Sequence, residues 1–309
     1  MSPDAARRAR RLAAALAAPA TALLFAACGS IGTPASDGKV RVVAAENFWG
    51  SIARQIGGTH AAVTSIIVNP AEDPHSYEPT TGDARTTATA QLAIVNGVGY
   101  DPWAAKLLAA SPVDGRRTLT VGALFGLTEG DNPHRWYDPT EVLGVARKIA
   151  FDLQKLDRAN AAYFARRLTQ FATRGLAGYH RLIGQIRARY AGVPVGASES
   201  IFALQAPSLG LKLATPTSFM KAISEGTEVT AQDIIATERQ ITSRAIKVWV
   251  YNSQNLTPEI KRLNRLAADG HIPVATVTET LAPASDSFQQ WQVAQLTRLG
   301  AALHQGTGR

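Results

Sequence analysis

The residues best suited to chemistry sit in two short loops. The first is Asn69-Pro70-Ala71-Glu72-Asp73-Pro74-His75-Ser76-Tyr77-Glu78-Pro79, directly after the apolar run Val63 to Val68. Three prolines forbid a helix there and stiffen the backbone. A histidine mounted so loses little entropy on binding, and imidazole is the commonest metal ligand. The second loop is Asp131-Asn132-Pro133-His134-Arg135-Trp136-Tyr137-Asp138-Pro139, which again sets a histidine directly after a proline. Singly, the first reads as easily as a stiff surface turn, and the second as a helix entry with a packed Trp136. Two Pro-His loops on one sheet point instead to a preformed metal site. Two carboxylates complete the set. Glu199 follows one expected strand and Glu279 ends another. A helix cap or a solvated acid is the commoner fate of glutamate. Their shared place at strand C-termini, where α/β sheets put their sites, raises them. Two imidazoles and two carboxylates make a mixed N/O donor set suited to a divalent transition metal.

The elements that must hold these loops alternate. Lys39 to Ala45 predicts a strand, Phe48 to Ile56 a helix, Val63 to Val68 a buried strand and Asp83 to Thr89 a short helix capped by Asp83. Gln91 to Asn96 predicts a further strand. Asp101-Pro102 opens a helix with Asp as cap and Pro first, and Arg117 to Val121 is a short strand. Asn96, Asp101 and Trp103 follow a strand beside the first loop and are candidates for site walls. Residues 141–190 lack proline and carry apolar residues at helical spacing, with a break at Asp157. A helix over 158–190 would run about 45–50 Å at 1.5 Å per residue, long enough to join two lobes. Beyond it come strands at 193–197, 211–214, 247–252 and 273–279, separated by helices at 219–224, 230–239 and 258–269 and closed by one at 286–305. Alternation of this kind predicts parallel sheets covered on both faces. The fold class expected is therefore α/β, two lobes with parallel sheets.

Composition agrees. The chain of 309 residues is 46% hydrophobic, enough for two cores. Its net charge of +8 invites a nucleic-acid reading, but Arg7, Arg8, Arg10 and Arg11 against Asp4 place +3 of it before residue 28. The other basic residues are dispersed among acids, with no basic run interleaved with aromatics, so no nucleic-acid partner is expected. Cys28 is the only cysteine, which excludes an internal disulfide and a cysteine zinc site.

Residues 1–28 read as an address: a zone with four arginines, an apolar zone from Leu12 to Phe25, then Ala26-Ala27-Cys28. Pro19 interrupts the apolar zone, which is short for a membrane span. Phe25-Ala26-Ala27-Cys28 resembles a bacterial lipoprotein box, and Cys28 is its candidate lipidation residue. Arg10-Arg11 is compatible with twin-arginine as with Sec export. Residues 29–38 read as a flexible tether. The expected organisation is a signal at 1–28, a tether at 29–38, a first lobe at 39–157, a linking helix at 158–190 and a second lobe at 191–309.

Together these features resemble the metal-specific solute-binding proteins of bacterial ABC importers, the zinc/manganese cluster. The resemblance is carried by Asp73-Pro74-His75-Ser76-Tyr77-Glu78-Pro79 and Asn132-Pro133-His134-Arg135-Trp136-Tyr137-Asp138-Pro139. It spans residue 39 to the C-terminus. It implies two α/β lobes bridged by one long rigid helix, with a metal cleft between them and His75, His134, Glu199 and Glu279 as ligands. It implies transported Zn2+ or Mn2+, a membrane permease as partner, a lipid anchor on the outer face of the cytoplasmic membrane, a monomer and no enzymatic activity. Glu199 stands where zinc members often carry histidine, and Glu279 where the family usually has aspartate. The histidine-rich loop of many zinc members is absent from 111–131. The alternatives are a zinc hydrolase and a metal-stabilised adhesin. The first would keep an open place for water, and no His-Glu-x-x-His helix is present.

Overall fold

The computed structural model describes residues 38–309; the expectations for the signal, Cys28 and residues 29–37 of the tether lie outside them. Two sheets of four parallel strands share one topology. The first contains β1 (Val40–Glu46), β2 (Ala61–Ile67), β3 (Leu92–Val95) and β4 (Arg117–Thr120), in the order β2-β1-β3-β4. The second contains β5 (Pro194–Ala197), β6 (Lys212–Leu213), β7 (Val248–Asn252) and β8 (Val274–Val277), in the order β6-β5-β7-β8. β1 and β3 are apolar nearly throughout because helices cover both faces, the usual state of a parallel sheet.

Helices α1 (Asn47–Gly57), α2 (Thr81–Thr89), α3 (Pro102–Ala110) and the short α4 (Val121–Leu124) belong to the first sheet. Two caps differ from expectation. Thr80 caps α2, and Asp83 is the third residue of its capping box, returning a bond to the Thr80 N–H. Asp101 precedes Pro102 as expected, yet its carboxylate turns away from α3 and accepts from Asn96 N and Gly97 N, both at 2.7 Å. Two adjacent free N–H groups on the preceding turn compete successfully for it.

The link between the sheets is helical but segmented. α5 (Pro139–Leu156) starts at Asp138, whose side chain accepts from Thr140 N and Glu141 N. After Asp157, which accepts from Asn160 N, come α6 (Ala161–Gln170), a π turn at Phe171–Gly175 and α7 (Ala177–Tyr190). The one long helix expected over 158–190 is thus a 3₁₀ turn at Arg158–Asn160 and two α-helices joined through the π turn. α8 (Thr217–Ser224), α9 (Ala231–Thr242), α10 (Pro258–Asp269) and α11 (Phe288–Thr307) complete the second half. One apolar core runs without interruption from β1 through α5, α6 and α7 to β8 and α11. Two sheets sharing a core of this extent have little freedom to swing apart. No described helix is long and apolar enough to cross a membrane.

Candidate metal centre

Three of the four residues singled out by type and spacing, His75, His134 and Glu279, come together in one cluster, and Glu199 is joined to it through Asn252. His75 sits eight residues beyond β2. Asp73 organises its turn, accepting from His75 N at 2.9 Å and Ser76 Oγ at 2.8 Å. Trp103 Nε1 donates to Pro74 O at 2.9 Å, and Tyr77 packs on the same indole. Trp103 is therefore a mount for the His75 loop. Burial lowers the His75 pKa below the ordinary histidine value, against the opposing charges of Asp73 and Glu225.

His134 is fully buried. Its Nδ1 lies 2.8 Å from Asn132 Oδ1, which also accepts the His134 N–H at 3.1 Å. An acceptor so placed holds the proton on Nδ1 and leaves Nε2 with a free lone pair. Asn96 Nδ2 fastens the loop through Pro133 O at 2.9 Å, while Trp49 Nε1 holds Asn96 Oδ1 at 3.1 Å. Arg135 pairs with Glu141 across the entry to α5. Burial, and then the nearby His75, pushes the His134 pKa down to about 3, so its imidazole is neutral at any physiological pH.

Glu199 and Glu279 each stand two residues beyond a strand, β5 and β8. One side-chain amide serves both: Asn252 Nδ2 donates to Glu279 Oε1 at 2.9 Å and to Glu199 Oε2 at 3.1 Å. Tyr100 Oη donates to Glu279 Oε2 at 3.1 Å. Gln254 Oε1 accepts from Glu279 N at 2.6 Å, and Gln254 Nε2 donates to Pro70 O at 2.6 Å, joining this strand end to the His75 loop. Burial, and then the charge of Glu279, holds Glu199 well above the usual carboxylate range. Glu279 is pushed up to about 7, chiefly by burial.

Ligand atoms of His75, His134 and Glu279 lie within 4.8 Å of one another. Donors bonded to one small dication at about 2.0–2.2 Å stand roughly 3–4 Å apart, so atoms grouped within this limit are near enough to share one ion. Glu199 falls outside the triangle and is tied to it through Asn252. Three atoms on these side chains are buried without a hydrogen-bond partner: His75 Nε2, His134 Nε2 and Glu199 Oε1. Buried polar atoms are ordinarily paired. Three unpaired lone pairs around one cleft suit a divalent cation, and two carboxylates would neutralise it. The mouth suits a cation as well. Glu72, Asp73 and Glu225 line a cavity of about 290 Å³ that reaches His75 and Glu279. Glu129 and Asp131 edge an adjoining one of about 520 Å³. Acidic walls of this kind raise the local concentration of cations.

Among the remaining histidines, His60 packs edge-on against Tyr163, and His304 Nδ1 lies 2.5 Å from Arg309 O. Neither joins the cluster. Sequence reasoning passed over Tyr100, Asn252 and Gln254. Asn252 carried a usable signal, because it ends a buried strand close to where the two glutamates leave theirs. Tyr100 and Gln254 carried none, since their roles depend on how turns fold back.

The chain is similar to the manganese-binding lipoprotein MntA of Halalkalibacterium halodurans, 32% identical over 148 residues, 46% of this chain and 49% of that protein. It is 29% identical to the metal ABC transporter substrate-binding lipoprotein FimA of Streptococcus parasanguinis over 165 residues, 48% of this chain and 53% of that one. The chain thus spans about half the length of these curated relatives. The fold is that of a manganese-bound periplasmic metal binding protein from Candidatus Liberibacter asiaticus, at TM-score 0.69 and 20% identity over 85% of this chain and 98% of that one. A crystal structure of ZnuA matches at TM-score 0.69 and 19% identity, over 85% of this chain and 99% of that chain. Residues 42–302 match the family described as zinc-uptake complex component A, periplasmic, and the chain belongs to that family.

Proposed function

We propose that this protein is an extracytoplasmic solute-binding protein that captures a divalent transition metal, zinc or manganese, and hands it to an ABC importer. In this reading it is a carrier and not an enzyme. It is exported, held by a lipid on Cys28 at the outer face of the cytoplasmic membrane, and monomeric. Residues 39–157 and 191–309 act as lobes joined by 158–190, and the ion lies between them on His75, His134, Glu199 and Glu279. The observation that carries the reading is the convergence of His75, His134 and Glu279 within 4.8 Å, with imidazole nitrogens that no protein group satisfies. The relatives named as manganese-binding and metal-transporter lipoproteins support it. So does the acidic mouth, which concentrates dications over anions and neutral solutes.

The test is native mass spectrometry of the metal-free chain titrated with zinc and with manganese, repeated for His134→Ala and Glu279→Ala. One ion per chain is expected for the parent, with strongly reduced occupancy in both variants. Equal occupancy in all three would remove the site. For the anchor, Cys28→Ser should release the protein from membranes, and retention would count against an acyl chain.

A further inference from the structure

We infer that Tyr100 is a positioning residue for ion capture, a latch from the first sheet's half of the molecule that sets Glu279 for its ion. This rests on the metal-carrier reading and adds to it a residue outside the donor set. Tyr100 is fully buried, and three of the four proposed ligands meet at its side chain. Its hydroxyl donates to Glu279 Oε2 at 3.1 Å, across the cleft. Its ring stands edge-on to His75 at 4.7 Å and to His134 at 5.9 Å, and leans on Trp136 at 4.9 Å. Asn252 holds the other oxygen of Glu279, so the two donors between them fix the rotation of the carboxylate.

The turn carrying Tyr100 is built at a cost. Gly97, Val98 and Gly99 all have positive φ, at 74°, 59° and 74°. For a β-branched residue such as Val98 this is a strained backbone. The Asp101 carboxylate bonds to Asn96 N and Gly97 N, and Tyr100 N donates to Gly97 O at 3.1 Å, which hold the turn against that strain. Strain persists where the surroundings over-determine it, and what this turn delivers is one hydroxyl at one carboxylate. A purely apolar packing role would need neither the hydroxyl nor its reach across the cleft.

Tyr100→Phe keeps the ring and removes the donor. Tyr100→Met, flexible enough to refill the space, is a second hydroxyl-free variant. Each is stripped of metal and titrated calorimetrically with zinc and manganese. Cobalt(II) absorption of the loaded chain reads the coordination geometry. Both variants should bind about tenfold more weakly, the scale for losing a hydrogen bond to a metal-ligating carboxylate. Their cobalt spectra should differ from the parent's, and metal-free melting should fall only modestly for Phe, which removes one donor and keeps the packing. In a Glu279→Asp background, whose shorter side chain retreats from the hydroxyl, Tyr100→Phe should have no further effect. Parent-like affinity and spectrum in both variants would overturn the inference, as would an equal loss in the Glu and Asp backgrounds, which means packing alone. A parent chain that binds neither metal sinks the carrier reading and this one with it. A parent that binds while the tyrosine variants match it sinks only this one.

Discussion

The two halves of the molecule repeat one sheet order, yet they hold their candidate donors in opposite ways. The first presents imidazoles far from its strands: His75 is eight residues past β2 and His134 fourteen past β4. Prolines, an Asx turn at Asp73 and anchoring side chains such as Trp103 and Asn96 do the stiffening. The second presents carboxylates on short leads, two residues past β5 and β8, inside a network of side-chain amides and the Tyr100 hydroxyl. Charge explains the difference. A neutral imidazole can be buried with one nitrogen unpaired at modest cost, whereas a buried carboxylate needs N–H or O–H donors. Glutamates must therefore sit where the framework is dense in donors, and histidines can ride on loops.

The hardest test of that contrast removes one donor from each half. His134→Ala and Glu199→Gln should both weaken zinc and manganese binding by about 100-fold or more, beyond the 10–100-fold typical of residues that merely support a ligand. They should part company in the metal-free protein. Burial first, and the charge of Glu279 second, oppose ionisation of Glu199, so Glu199→Gln removes that cost and should raise the metal-free melting temperature at pH 8. His134→Ala leaves a cavity and relieves no charge, so it should lower it. Scanning calorimetry of the two variants in EDTA decides. A fall in both would mean that the carboxylates are no more burdened than the imidazoles.

The amide network offers a smaller effect. Asn252→Ala deprives Glu199 and Glu279 of their common donor while leaving all four proposed ligands in place. Affinity should fall about 10–100-fold, with both imidazoles unaffected. Chemical shifts of His75 and His134 in the metal-free protein would report any spread into the first half. Next comes the strained turn. A methyl on Gly122 would lie 2.2 Å from Val98 Cγ2, closer than side chains can approach. Gly122→Ala should destabilise by about 1–3 kcal/mol, the cost of overpacking, and displace Tyr100 with the turn. Denaturant melts measure the first effect. An unchanged midpoint would show that the turn yields freely.

How much of this the sequence disclosed follows the same divide. Proline-flanked histidines are legible because rigidity is written in residue types: Pro70, Pro74 and Pro133 mark the mounts without any structure. Strand ends are legible from apolar runs, which located Glu199 and nearly located Glu279. Hydrogen bonds that cross between halves are not. Tyr100 lies 179 residues from Glu279 and Gln254 184 from Pro70, and no local periodicity links them. Asp101 shows the limit within a few residues. Its position before Pro102 is that of a helix cap, and only the folded turn shows its carboxylate claimed by Asn96 and Gly97. The π turn at 171–175 left only a faint trace, the five-residue step from Phe171 to Leu176, which is easily taken for ordinary helical spacing.

Glu46 cuts across the comparison, and the smallest effect expected here comes from it. It ends β1 in the half that otherwise presents imidazoles, it is fully buried, and no N–H or O–H donor reaches either carboxylate oxygen, its one side-chain partner being the Asp101 carboxylate that its protonated form can bond. Burial first, and the charge of Asp101 second, holds its carboxyl well above the usual range. The folded chain therefore keeps a proton that the unfolded chain releases near the ordinary glutamate value of about 4.3. Where the folded state binds more protons, stability falls as pH rises, so Glu46 is harmless near pH 4 and increasingly costly toward neutrality. Glu46→Gln keeps the shape and abolishes the titration. Its advantage over the parent should be close to nil at pH 4.5 and grow up to pH 8. At about 2–4 °C per kcal/mol for a protein of this size, melting curves across that range resolve it. Parallel curves would mean that the charge on Glu46 finds donors after all, and the rule that carboxylates need a dense framework would then lose the case that tests it outside the candidate site.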